Sequence, residues 1–591
     1  MDTEATMEKW VLMRKGADFQ EISKQFEISP RLASLIRNKD IVGDEKIRFY
    51  LHGNIAELWD GMLMKDMGKS IEILMEKIHA KSKIRVIGDY DVDGICATYI
   101  LMEGLKGLGA HVDSDIPDRV EDGYGLSAGL VERAKLSEVD TIITCDNGIA
   151  AIEEIAYARN IGITTIITDH HEPSYTQEDE KRIYTLPQAD AIIDPKQMDC
   201  PYPFKGLCGA AVAYKLIEAL YEAMGEEVAD VDYLIEFVAM ATVADVMDLQ
   251  EENRVFVKQG LEMMRRTQNL GLQALIACTN IDVQKLSAYH IGFVLGPCLN
   301  ASGRLDTAKR ALELLCTKDK NEAEILAGDL KALNESRKEM TEKALESAFR
   351  EIEETKMLQD NVLVVYLPDC HESLAGIVAG RVRERYYRPT FVLTQGDAGV
   401  KGSGRSIPAY HMHEELSKCK QLFAKFGGHR LAAGFSLKED VETFREKMNE
   451  VSTLQENDLV KKVQIDMKLP FTDITQAFIE ELKLLEPFGK GNEKPVFAES
   501  GIHILSGKVL GKNRNVLKML VKDSAGNRMD AIYFGDIERF GGFLQEKGYV
   551  LSEEGALSAS EASKALAFVY YPDVNEYQGR KTLQMVVGGY Q

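Results

Sequence analysis

Acidic and histidine residues follow apolar, β-branched runs at several places in the first half of the chain. There are five such junctions: Asp89, Asp91 and Asp93 after Ile84–Ile87; Asp146 after Thr141–Thr144; Asp169, His170 and His171 after Thr165–Thr168; Asp194 after Ala191–Ile193; and Asp245 after Met240–Val243. In an open α/β fold the carboxyl ends of parallel strands meet at one edge of the sheet, where ligands bind. Asp and His without Cys are ligands typical of Mn²⁺ or Mg²⁺ rather than of structural zinc. The pattern therefore predicts a hydrolytic centre with two metal ions.

Each junction also has a simpler explanation when it is taken alone. Asp91 and Asp93 could cap a helix after a surface turn, and Asn147-Gly148 is a common turn pair. An EF-hand is disfavoured for residues 89–94, because its loop pattern and downstream Glu are missing. The recurrence of these groups at equivalent places in the chain favours one shared site over several separate explanations.

Alternating strand-like and helical stretches must position these residues. Residues 83 to about 250 alternate β-branched runs with amphipathic segments such as Cys96–Leu108, which is typical of a parallel sheet. From about Lys318 to Met357 there is no Pro and one Gly, and apolar residues recur every three to five positions. This spacing predicts one or two long helices. A second α/β unit begins with the strand Asn361–Tyr366, and short strand-like runs after about Val460 indicate a small β-barrel.

The predicted fold is therefore α/β, with a parallel-sheet domain joined by long helices to a smaller α/β domain and followed by an OB-type β-barrel. We predict five parts: an N-terminal helical segment (1–80), the parallel-sheet domain (81–317), connecting helices (318–358), the smaller α/β domain (359–455) and the barrel (456–591).

Net charge, apolar runs and cysteine spacing limit the classes of protein to which this chain can belong. The net charge is −23, from 71 Lys and Arg against 94 Asp and Glu, which argues against a protein that coats nucleic acid along its whole length. Between Arg381 and Arg430, however, ten Lys and Arg stand against four Asp and Glu. No run reaches the roughly 18 apolar residues of a membrane span. The N-terminus has no signal-peptide pattern, and the nine Cys form no CxxC pair, so we expect a cytoplasmic protein with reduced thiols.

Four motifs resemble, in order, those of the DHH phosphoesterases: Asp89–Gly94 (DYDVDG), Cys145–Gly148 (CDNG), Thr168–Glu172 (TDHHE) and Ala241–Asp245 (ATVAD). Further stretches resemble the RecJ branch of that family and its DHHA1 and OB domains: Pro117–Arg119, Gly123–Leu126, Leu299–Arg304, Gly402–Ser406, Gly427–His429 and Glu486–Gly489. Over about residues 40–591 the chain is similar to RecJ-type exonucleases of the DHH/DHHA1 family. The extra C-terminal domain of some longer RecJ proteins is expected to be absent.

The resemblance implies a role for each matching residue. The implied metal ligands are Asp91, Asp93, Asp146, His170 and Asp245, with Asp146 as the bridge between the two ions. Asp89 and His171 match supporting positions, and His171 completes the implied catalytic set. The implied substrate contacts are Arg119, Ser403 and Arg405 at the 5′-phosphate, Arg304 near the scissile bond, and His429 facing the substrate.

The implied function is a single-strand-specific 5′→3′ DNA exonuclease that releases mononucleotides and acts in DNA repair and recombination. Two divalent ions about 4 Å apart, Mn²⁺ or Mg²⁺, can share one water and clamp the attacking and leaving oxygens. Arginine suits the phosphates because its planar fork donates two parallel hydrogen bonds. The implied partners are single-stranded DNA with a 5′-phosphate, a single-strand-binding protein and a RecQ-type helicase. The family also implies a monomer without membrane association.

Two other functions fit part of this pattern. Hydrolysis of short oligoribonucleotides or cyclic dinucleotides is disfavoured by the tail after about residue 460, because enzymes of that kind usually lack the OB domain. A non-catalytic DNA-binding relative would have lost the metal ligands, and all five are present. In the barrel, Phe497, Tyr533 and Phe534 are candidates for base stacking, although core packing explains each more simply.

The chain departs from the family pattern at two positions. Ile87 stands where many DHH enzymes have His, so either that ligand is lost or the remaining groups hold the metal. Cys298 precedes Leu299-Asn300 where an Arg is common, which would weaken one phosphate contact.

Overall fold

The chain forms two compact units in a computed structural model, which describes residues 8–118, 125–178, 181–396, 399–511, 513–577 and 579–591. The first unit comprises residues 54–461 with 489–491. The second comprises residues 8–53, 462–488 and 492–591. The division after residue 53 falls inside the segment 1–80 that we predicted as a single part.

A five-stranded parallel sheet, called sheet A here, forms the centre of the first unit. Its strands in spatial order are His111–Asp115, Lys83–Ile87, Thr141–Cys145, Thr164–Thr168 and Ala191–Ile193. Successive residues point to opposite faces, so Val86, Ile143 and Ile166 enter one apolar cluster while their chain neighbours enter another. Both faces are therefore covered, which explains why these strands are continuous apolar runs rather than alternating ones.

Helices surround sheet A and continue beyond it. They are Met67–His79, Val92–Gly107, Ala128–Leu136, Ile152–Asn160, Gly209–Met224, Ile235–Ala244, Glu251–Met264, Leu270–Cys278 and Lys309–Cys316. A short antiparallel hairpin joins Tyr175–Glu178 to Lys181–Tyr184. Ala288–His290, a π-helical turn at Ile291–Leu295, and Gly296–Leu305 follow one another without a break. We call residues 288–305 the π-containing helix.

One helix of 35 residues, Lys320–Glu354, connects sheet A to the second sheet of this unit. Asp319 caps it by accepting a hydrogen bond from the backbone N–H of Glu322. The predicted long connection is thus a single helix.

The second sheet, sheet B, is mixed. Its strands in spatial order are Phe423–Gly428, Ala432–Leu437, Gly399–Arg405, Thr390–Gly396 and Leu363–Tyr366, and only the last two run parallel. The helix Glu372–Tyr386 packs against Thr390–Gly396 and Gly399–Arg405. Two further helices, Met412–Ser417 and Val441–Val451, complete this smaller α/β part.

The second unit contains a closed five-stranded β-barrel. Its strands are Phe497–Leu510, Val516–Lys522, Arg528–Phe534, Leu566–Tyr577 and Arg580–Tyr590, and pairing of the first with both the second and the fourth closes the ring. Other elements of this unit are the strands Lys462–Ile465, Met467–Lys468, Tyr549–Leu551 and Ala556–Ala559 and the helices Gln476–Leu482 and Ile537–Glu546. The predicted sequence of a parallel-sheet domain, a long helix, a smaller α/β domain and an OB-type barrel is confirmed.

Residues 8–53 belong to the same unit as the barrel. The strand Lys9–Leu12 pairs in parallel with Lys462–Ile465. Three helices, Phe19–Phe26, Pro30–Asn38 and Asp44–His52, follow it. Leu32, Leu35 and Ile36 are buried in the same apolar cluster as the barrel side chains. The N-terminal segment is therefore part of the barrel unit's core.

The three barrel aromatics named above differ in exposure. Phe497 is fully buried, Tyr533 is partly buried against the core, and Phe534 is 58% exposed. Core packing accounts for the first two, and Phe534 remains a candidate for stacking. Throughout the described ranges, no helix combines the length and the apolar character that crossing a bilayer requires.

Candidate metal centre

Asp91 and Asp93 lie where the strand Lys83–Ile87 gives way to the helix Val92–Gly107. Asp91 is the N-cap: its Oδ1 accepts hydrogen bonds from the backbone N–H groups of Asp93 (2.9 Å) and Gly94 (3.2 Å). Asp93 is buried, and its two oxygens accept hydrogen bonds from the N–H groups of Gly209 and Ala210, both at 2.7 Å. These two residues open the helix Gly209–Met224. Helix N-termini favour negative charge, so both carboxylates are fixed by helix ends.

Asp146 follows the strand Thr141–Cys145 and is also buried. Its backbone has φ 59°, a left-handed conformation that Asp and Asn adopt more readily than most residues. Gly209 allows the helix to approach: an ideal Cβ at that position would lie 2.7 Å from the Asp146 Cβ. A side chain at position 209 would therefore displace Asp146.

His170 and His171 follow the strand Thr164–Thr168 and play different parts. The Nε2 of His170 lies 3.0 Å from Asp146 Oδ1 and 3.6 Å from Asp93 Oδ2. His171 is about half exposed, and its Nδ1 lies 2.8 Å from Asp169 Oδ1. Asp169 also accepts hydrogen bonds from the backbone N–H groups of His170, His171 and Ile149. Asp169 therefore orients the ring of His171 and fixes the backbone of both histidines.

Asp245 caps the C-terminal end of the helix Ile235–Ala244 and brings a further carboxylate to the cluster. Its Oδ2 lies 3.8 Å from His170 Nε2. Three groups of side chains have potential ligand atoms all within 4.8 Å of one another: Asp93 with His170 and Asp245, Asp146 with His170 and His171, and Asp89 with Asp91 and Asp146. The structure thus brings the five predicted ligands together, with Asp89 and His171 beside them.

The electrostatics of the cluster favour a bound cation. Burial, followed by the charges of Asp245 and Asp91, raises the pKa of Asp93 well above its ordinary range. Burial and the charge of Asp93 do the same to the pKa of Asp146. Burial and the charge of Asp91 raise the pKa of Asp245 to about 6. Crowded carboxylates disfavour their own ionisation, and nearby positive charge relieves this.

The two histidines titrate in opposite directions. Burial, and then the charge of His171, lowers the pKa of His170 to about 3, so its ring is neutral at pH 7 and able to act as a ligand. Burial opposes the charge on His171 as well, but its hydrogen bond with Asp169 and the surrounding carboxylates outweigh that effect and raise its pKa to about 9. Neutral imidazole and carboxylate oxygens without any thiolate fit Mn²⁺ or Mg²⁺.

Both departures from the family pattern are buried. Ile87 lies in an apolar cluster with Leu126 and Ile142, so this position contributes packing rather than a ligand. Cys298 is buried, and its Sγ accepts a hydrogen bond from the Asn334 amide in the connecting helix at 3.4 Å. This side chain therefore contacts the connecting helix.

A cleft of about 630 Å³ connects the carboxylate cluster to sheet B. Asp91 and Asp245 line it together with Arg304, Arg405 and His429. The Nη1 of Arg304 donates a hydrogen bond to the carbonyl of Ser373 at 2.8 Å, which places this guanidinium at the start of the helix Glu372–Tyr386. Three predicted phosphate and substrate contacts thus share one cleft with the predicted metal ligands.

Ser403 and Arg405 are alternate residues of the strand Gly399–Arg405 and share one face of sheet B. Both approach Gly376 in the helix Glu372–Tyr386: an ideal Cβ there would lie 2.7 Å from Arg405 Nη2 and 2.9 Å from Ser403 Oγ. His429 is largely exposed, and partial burial, followed by the charge of Arg405, lowers its pKa. Arg119, the third predicted contact for the 5′-phosphate, lies outside the described residues.

Several residues of the site carried no role in the sequence analysis. Asn300 lines the cleft, and its Oδ1 accepts a hydrogen bond from the Val92 N–H at 3.1 Å, which ties the π-containing helix to the helix that bears Asp93. Its position in the motif Leu299–Arg304 was a usable signal. Arg383 also lines the cleft, and Gly376 leaves room for Arg405, but nothing in the local sequence distinguished either residue.

Comparison with known proteins agrees with this geometry. Three family models match in order along the chain: the N-terminal domain of the DHH family at residues 83–242, the DHHA1 domain at 359–453 and the RecJ OB domain at 465–588. The single-stranded-DNA-specific exonuclease RecJ of Bacillus subtilis is 35% identical over 99% of this chain and 71% of its own length. The chain belongs to the RecJ family. RecJ of Escherichia coli is 31% identical over 98% of this chain and 99% of its own.

Solved RecJ structures share the fold over nearly the whole of this chain. RecJ from Thermus thermophilus in complex with Mn²⁺ superposes with a TM-score of 0.79 at 26% identity, covering 99% of this chain and 79% of that one. The same protein in complex with Mg²⁺ gives a TM-score of 0.75 at 25% identity, covering 99% and 78% of the two chains. These RecJ structures hold the two kinds of ion that the donor set described above fits.

Proposed function

We propose that this chain is a divalent-metal-dependent exonuclease that removes mononucleotides from the 5′ end of single-stranded DNA. The observation that supports this most is the single cleft that joins the carboxylate cluster to Arg304 and Arg405. A metal-binding surface and an arginine-lined surface facing one space suit a phosphodiester, which needs both.

The proposed ligands of two Mn²⁺ or Mg²⁺ ions are Asp91, Asp93, Asp146, His170 and Asp245, with Asp146 between the ions. Bound ions of this kind supply a nucleophile near neutral pH and stabilise the charge that develops on the phosphate. The chain's own contribution is to hold the ligands still. Backbone N–H groups fix Asp93 and Asp91, and Asp169 fixes the backbone of His170 and His171 and the ring of His171.

The surrounding cations position the substrate. Arg304 is proposed to contact the phosphate near the scissile bond, because it lines the cleft beside Asp91. His171 lies beside the cluster with its ring about half exposed, and its hydrogen bond with Asp169, which raises its pKa in the metal-free protein, favours a ring that can donate to a phosphate oxygen. Ser403 and Arg405 are proposed to hold the terminal 5′-phosphate, with His429 facing the same nucleotide.

Direction and strand selectivity follow from this arrangement. A strand whose terminal phosphate lies against Ser403 and Arg405 presents its next phosphodiester to the carboxylate cluster, so hydrolysis proceeds from the 5′ end. The cleft of about 630 Å³ accommodates one strand, whereas a duplex would have to be unpaired before entering. We also propose action in DNA repair and recombination, with a single-strand-binding protein and a RecQ-type helicase as partners of a monomer, on the family resemblance.

A degradation assay tests the proposal. The substrates are a long single strand with a 5′-phosphate, its duplex and a dinucleotide, each with Mn²⁺ or with EDTA. We expect metal-dependent release of mononucleotides from the 5′ end of the single strand only. A 3′ label distinguishes the two directions, because 5′ degradation shortens a labelled strand progressively. A preference for the dinucleotide, or equal loss from both ends, would contradict the proposal.

A further inference from the structure

The π-containing helix packs directly against the turn that carries Asp91. The backbone N–H of Val92, the residue after Asp91, donates to Asn300 Oδ1 at 3.1 Å. An ideal Cβ at Gly303 would lie 2.6 Å from the carbonyl oxygen of Tyr90, the residue before Asp91. Both chain neighbours of a predicted metal ligand therefore lie against this helix, and a side chain at position 303 would displace the turn.

Asn300 completes the hydrogen bonding of the first turn of the helix that follows Asp91. The first N–H groups of a helix have no partner within the helix itself. Asp91 Oδ1 accepts from the second and third of these groups. Asn300 accepts from the first, which belongs to Val92. Asn300 therefore helps to fix the turn from which the side chains of two predicted ligands, Asp91 and Asp93, project.

The same helix also lies against the segment that carries Asp245. An ideal Cβ at Gly296 would lie 3.5 Å from Ala244 Cβ, and Ala244 immediately precedes Asp245. Arg304, near the C-terminal end of the π-containing helix, lines the cleft together with Asp91 and Asp245. One helix thus adjoins two parts of the carboxylate cluster and bears a proposed substrate contact.

The amide nitrogen of Asn300 is available to the cleft. Because Val92 donates its N–H, the Asn300 atom that faces it must be the amide oxygen, which turns Nδ2 away from the backbone of the turn. Asn300 lines the cleft, and within the described ranges no acceptor lies within hydrogen-bond distance of Nδ2. An amide nitrogen carries two hydrogens, and asparagine is among the residues that donate to DNA phosphates. One side chain therefore reaches from the turn of Asp91 to the space proposed for the strand.

We propose that Asn300 is a positioning residue that couples strand binding to metal binding. Its oxygen holds the turn of Asp91, and its amide nitrogen donates to a phosphate oxygen of the strand in the cleft. This coupling rests on the proposed function, to which it adds a dependence between the two ligands. A side chain that one ligand has already ordered costs less to order for the other. Such coupling is reciprocal, so the strand should tighten Mn²⁺ binding by the same factor by which Mn²⁺ tightens strand binding.

Three variants separate the two ends of the Asn300 side chain. Asn300→Asp keeps an oxygen for the Val92 N–H but replaces the amide nitrogen with a charged oxygen, which a phosphate repels. Asn300→Ala removes both contacts. Asn269→Ala is the matched control, because Asn269 Oδ1 also accepts from the first turn of a helix, at 2.9 Å from the N–H of Leu272, whereas its amide nitrogen donates to the carbonyl of Leu315.

Mn²⁺ binding is measured by electron paramagnetic resonance, which detects the free ion, with and without a 5′-phosphorylated strand. Methylene groups replace the 3′ bridging oxygens of its first linkages, so that the strand keeps its charges and is not cut. Without the strand, Asn300→Ala should bind Mn²⁺ roughly 10-fold more weakly than wild type, as expected when a partner of a metal ligand is removed. Asn300→Asp should bind it at least as tightly as wild type. The strand should tighten Mn²⁺ binding by the wild-type chain about 10-fold more than it does for either variant.

Three results would overturn the inference. Wild-type affinity for Mn²⁺ in strand-free Asn300→Ala would show that Asn300 does not position the ligands. A wild-type gain from the strand in Asn300→Asp would show that Nδ2 does not contact the strand. Asn269→Ala should lower the melting temperature and leave Mn²⁺ binding unchanged, and an equal loss of Mn²⁺ affinity in this control would reduce the effect of Asn300→Ala to general destabilisation.

Degradation of an ordinary strand by the wild-type chain with Mn²⁺ is measured in parallel. Its absence would contradict the proposed function. The Mn²⁺ affinities of the strand-free chains do not depend on that activity, so they test the positioning role of Asn300 separately.

Discussion

The carboxyl edge of sheet A and the Arg405 strand of sheet B both concentrate like charges, but they hold them differently. At sheet A, short aspartate side chains are anchored by backbone N–H groups, as Gly209 and Ala210 anchor Asp93. At sheet B, the long Arg405 side chain donates from Nη1 to the carbonyl of Gly404 at 2.8 Å. Burial, followed by the charge of Arg383, lowers the pKa of Arg405. A divalent cation would relieve the first concentration and a phosphate the second.

The two regions should therefore be sensitive to different kinds of substitution. Asp91 and Asp93 are held by backbone N–H groups at helix N-termini, so changing one should alter charge more than geometry. Arg405 depends on the space above Gly376, which belongs to another element. We therefore expect substitutions of the aspartates themselves to act mainly through charge, and substitutions around Arg405 to act through steric displacement as well.

The most damaging single change should be Asp146→Asn. Asn retains the shape of the side chain and tolerates φ 59°, so the variant isolates the lost charge from backbone strain. We expect a loss of single-strand degradation larger than the roughly 10- to 100-fold seen when a partner of a metal ligand is removed. Initial rates with Mn²⁺ give the effect, and strand binding should be largely kept. A rate close to wild type would mean that Asp146 does not bridge metal ions.

Arg405→Gln tests the proposed 5′-phosphate contact on sheet B. Loss of a charge-assisted contact of about 1.5–3 kcal/mol corresponds to a roughly 10- to 100-fold lower kcat/KM on 5′-phosphorylated strands. The loss should be much smaller on strands that end in a 5′-hydroxyl. Arg304→Gln is the control, because its proposed contact is internal to the strand and should cost the same on both kinds of end. Equal losses for Arg405→Gln on both ends would remove the 5′-phosphate assignment.

Gly376→Ala tests whether space above Arg405 matters. An added Cβ would come within 2.7 Å of Arg405 Nη2 and 2.9 Å of Ser403 Oγ, so the flexible guanidinium must shift. A misplaced contact of this kind should lower kcat/KM on 5′-phosphorylated strands by up to roughly 10-fold. Gly380→Ala, one turn later in the same helix, is the matched control, because its Cβ would lie 3.9 Å from Arg405 Cγ. Identical behaviour of the two variants would show that Arg405 does not depend on this space.

The smallest effect concerns stability without metal. The pKa of Asp245 is raised in the folded state to about 6 from 3.8, so its ionisation opposes folding increasingly between those values and by a constant amount above pH 6. In EDTA, Asp245→Asn should therefore melt a few degrees above wild type at pH 7 and show a smaller difference at pH 4. Because the Asp245 side chain is 32% exposed, solvent reduces the effect.

Adding Mn²⁺ should reverse the order of the two melting temperatures, so that the wild type melts above Asp245→Asn. A ligand that binds only the folded state raises the melting temperature, and the wild-type cluster should bind Mn²⁺ more tightly than the variant does. Differential scanning fluorimetry with and without Mn²⁺ measures both effects. A variant that gains as much from Mn²⁺ as the wild type would show that Asp245 is not a ligand.

The metal cluster was predictable because its residues follow strands of one parallel sheet. Asp91, Asp146 and His170 each come shortly after an apolar run, and parallel strands bring such positions to one edge of the sheet. The fold followed from the same alternation. The roles of Arg304 and Arg405 could be predicted only from the family resemblance. Residues that line a cleft between two sheets share no periodic pattern in the sequence.

Other features could not be predicted from the sequence. The π turn at Ile291–Leu295 lies where Gly292 and Gly296 approach the end of another helix, and no local sequence pattern predicts it. The exposure of Phe293 is also a tertiary property, since its apolar character alone predicts burial. The partner of the strand Lys9–Leu12 lies more than four hundred positions later, where no pattern in the first residues points.

The pairing of Lys9–Leu12 with Lys462–Ile465 affects the order in which the two units can fold during synthesis. Because the barrel unit takes residues from both ends of the chain, Leu32, Leu35 and Ile36 leave the ribosome long before their partners exist. The first unit can fold during synthesis, whereas the barrel unit must wait for the last strand, Arg580–Tyr590. Until then the N-terminal helices keep their apolar faces unburied and open to chaperones. A barrel expressed from residue 462 onward would lack these side chains, and supplying residues 8–53 as a second chain should restore it.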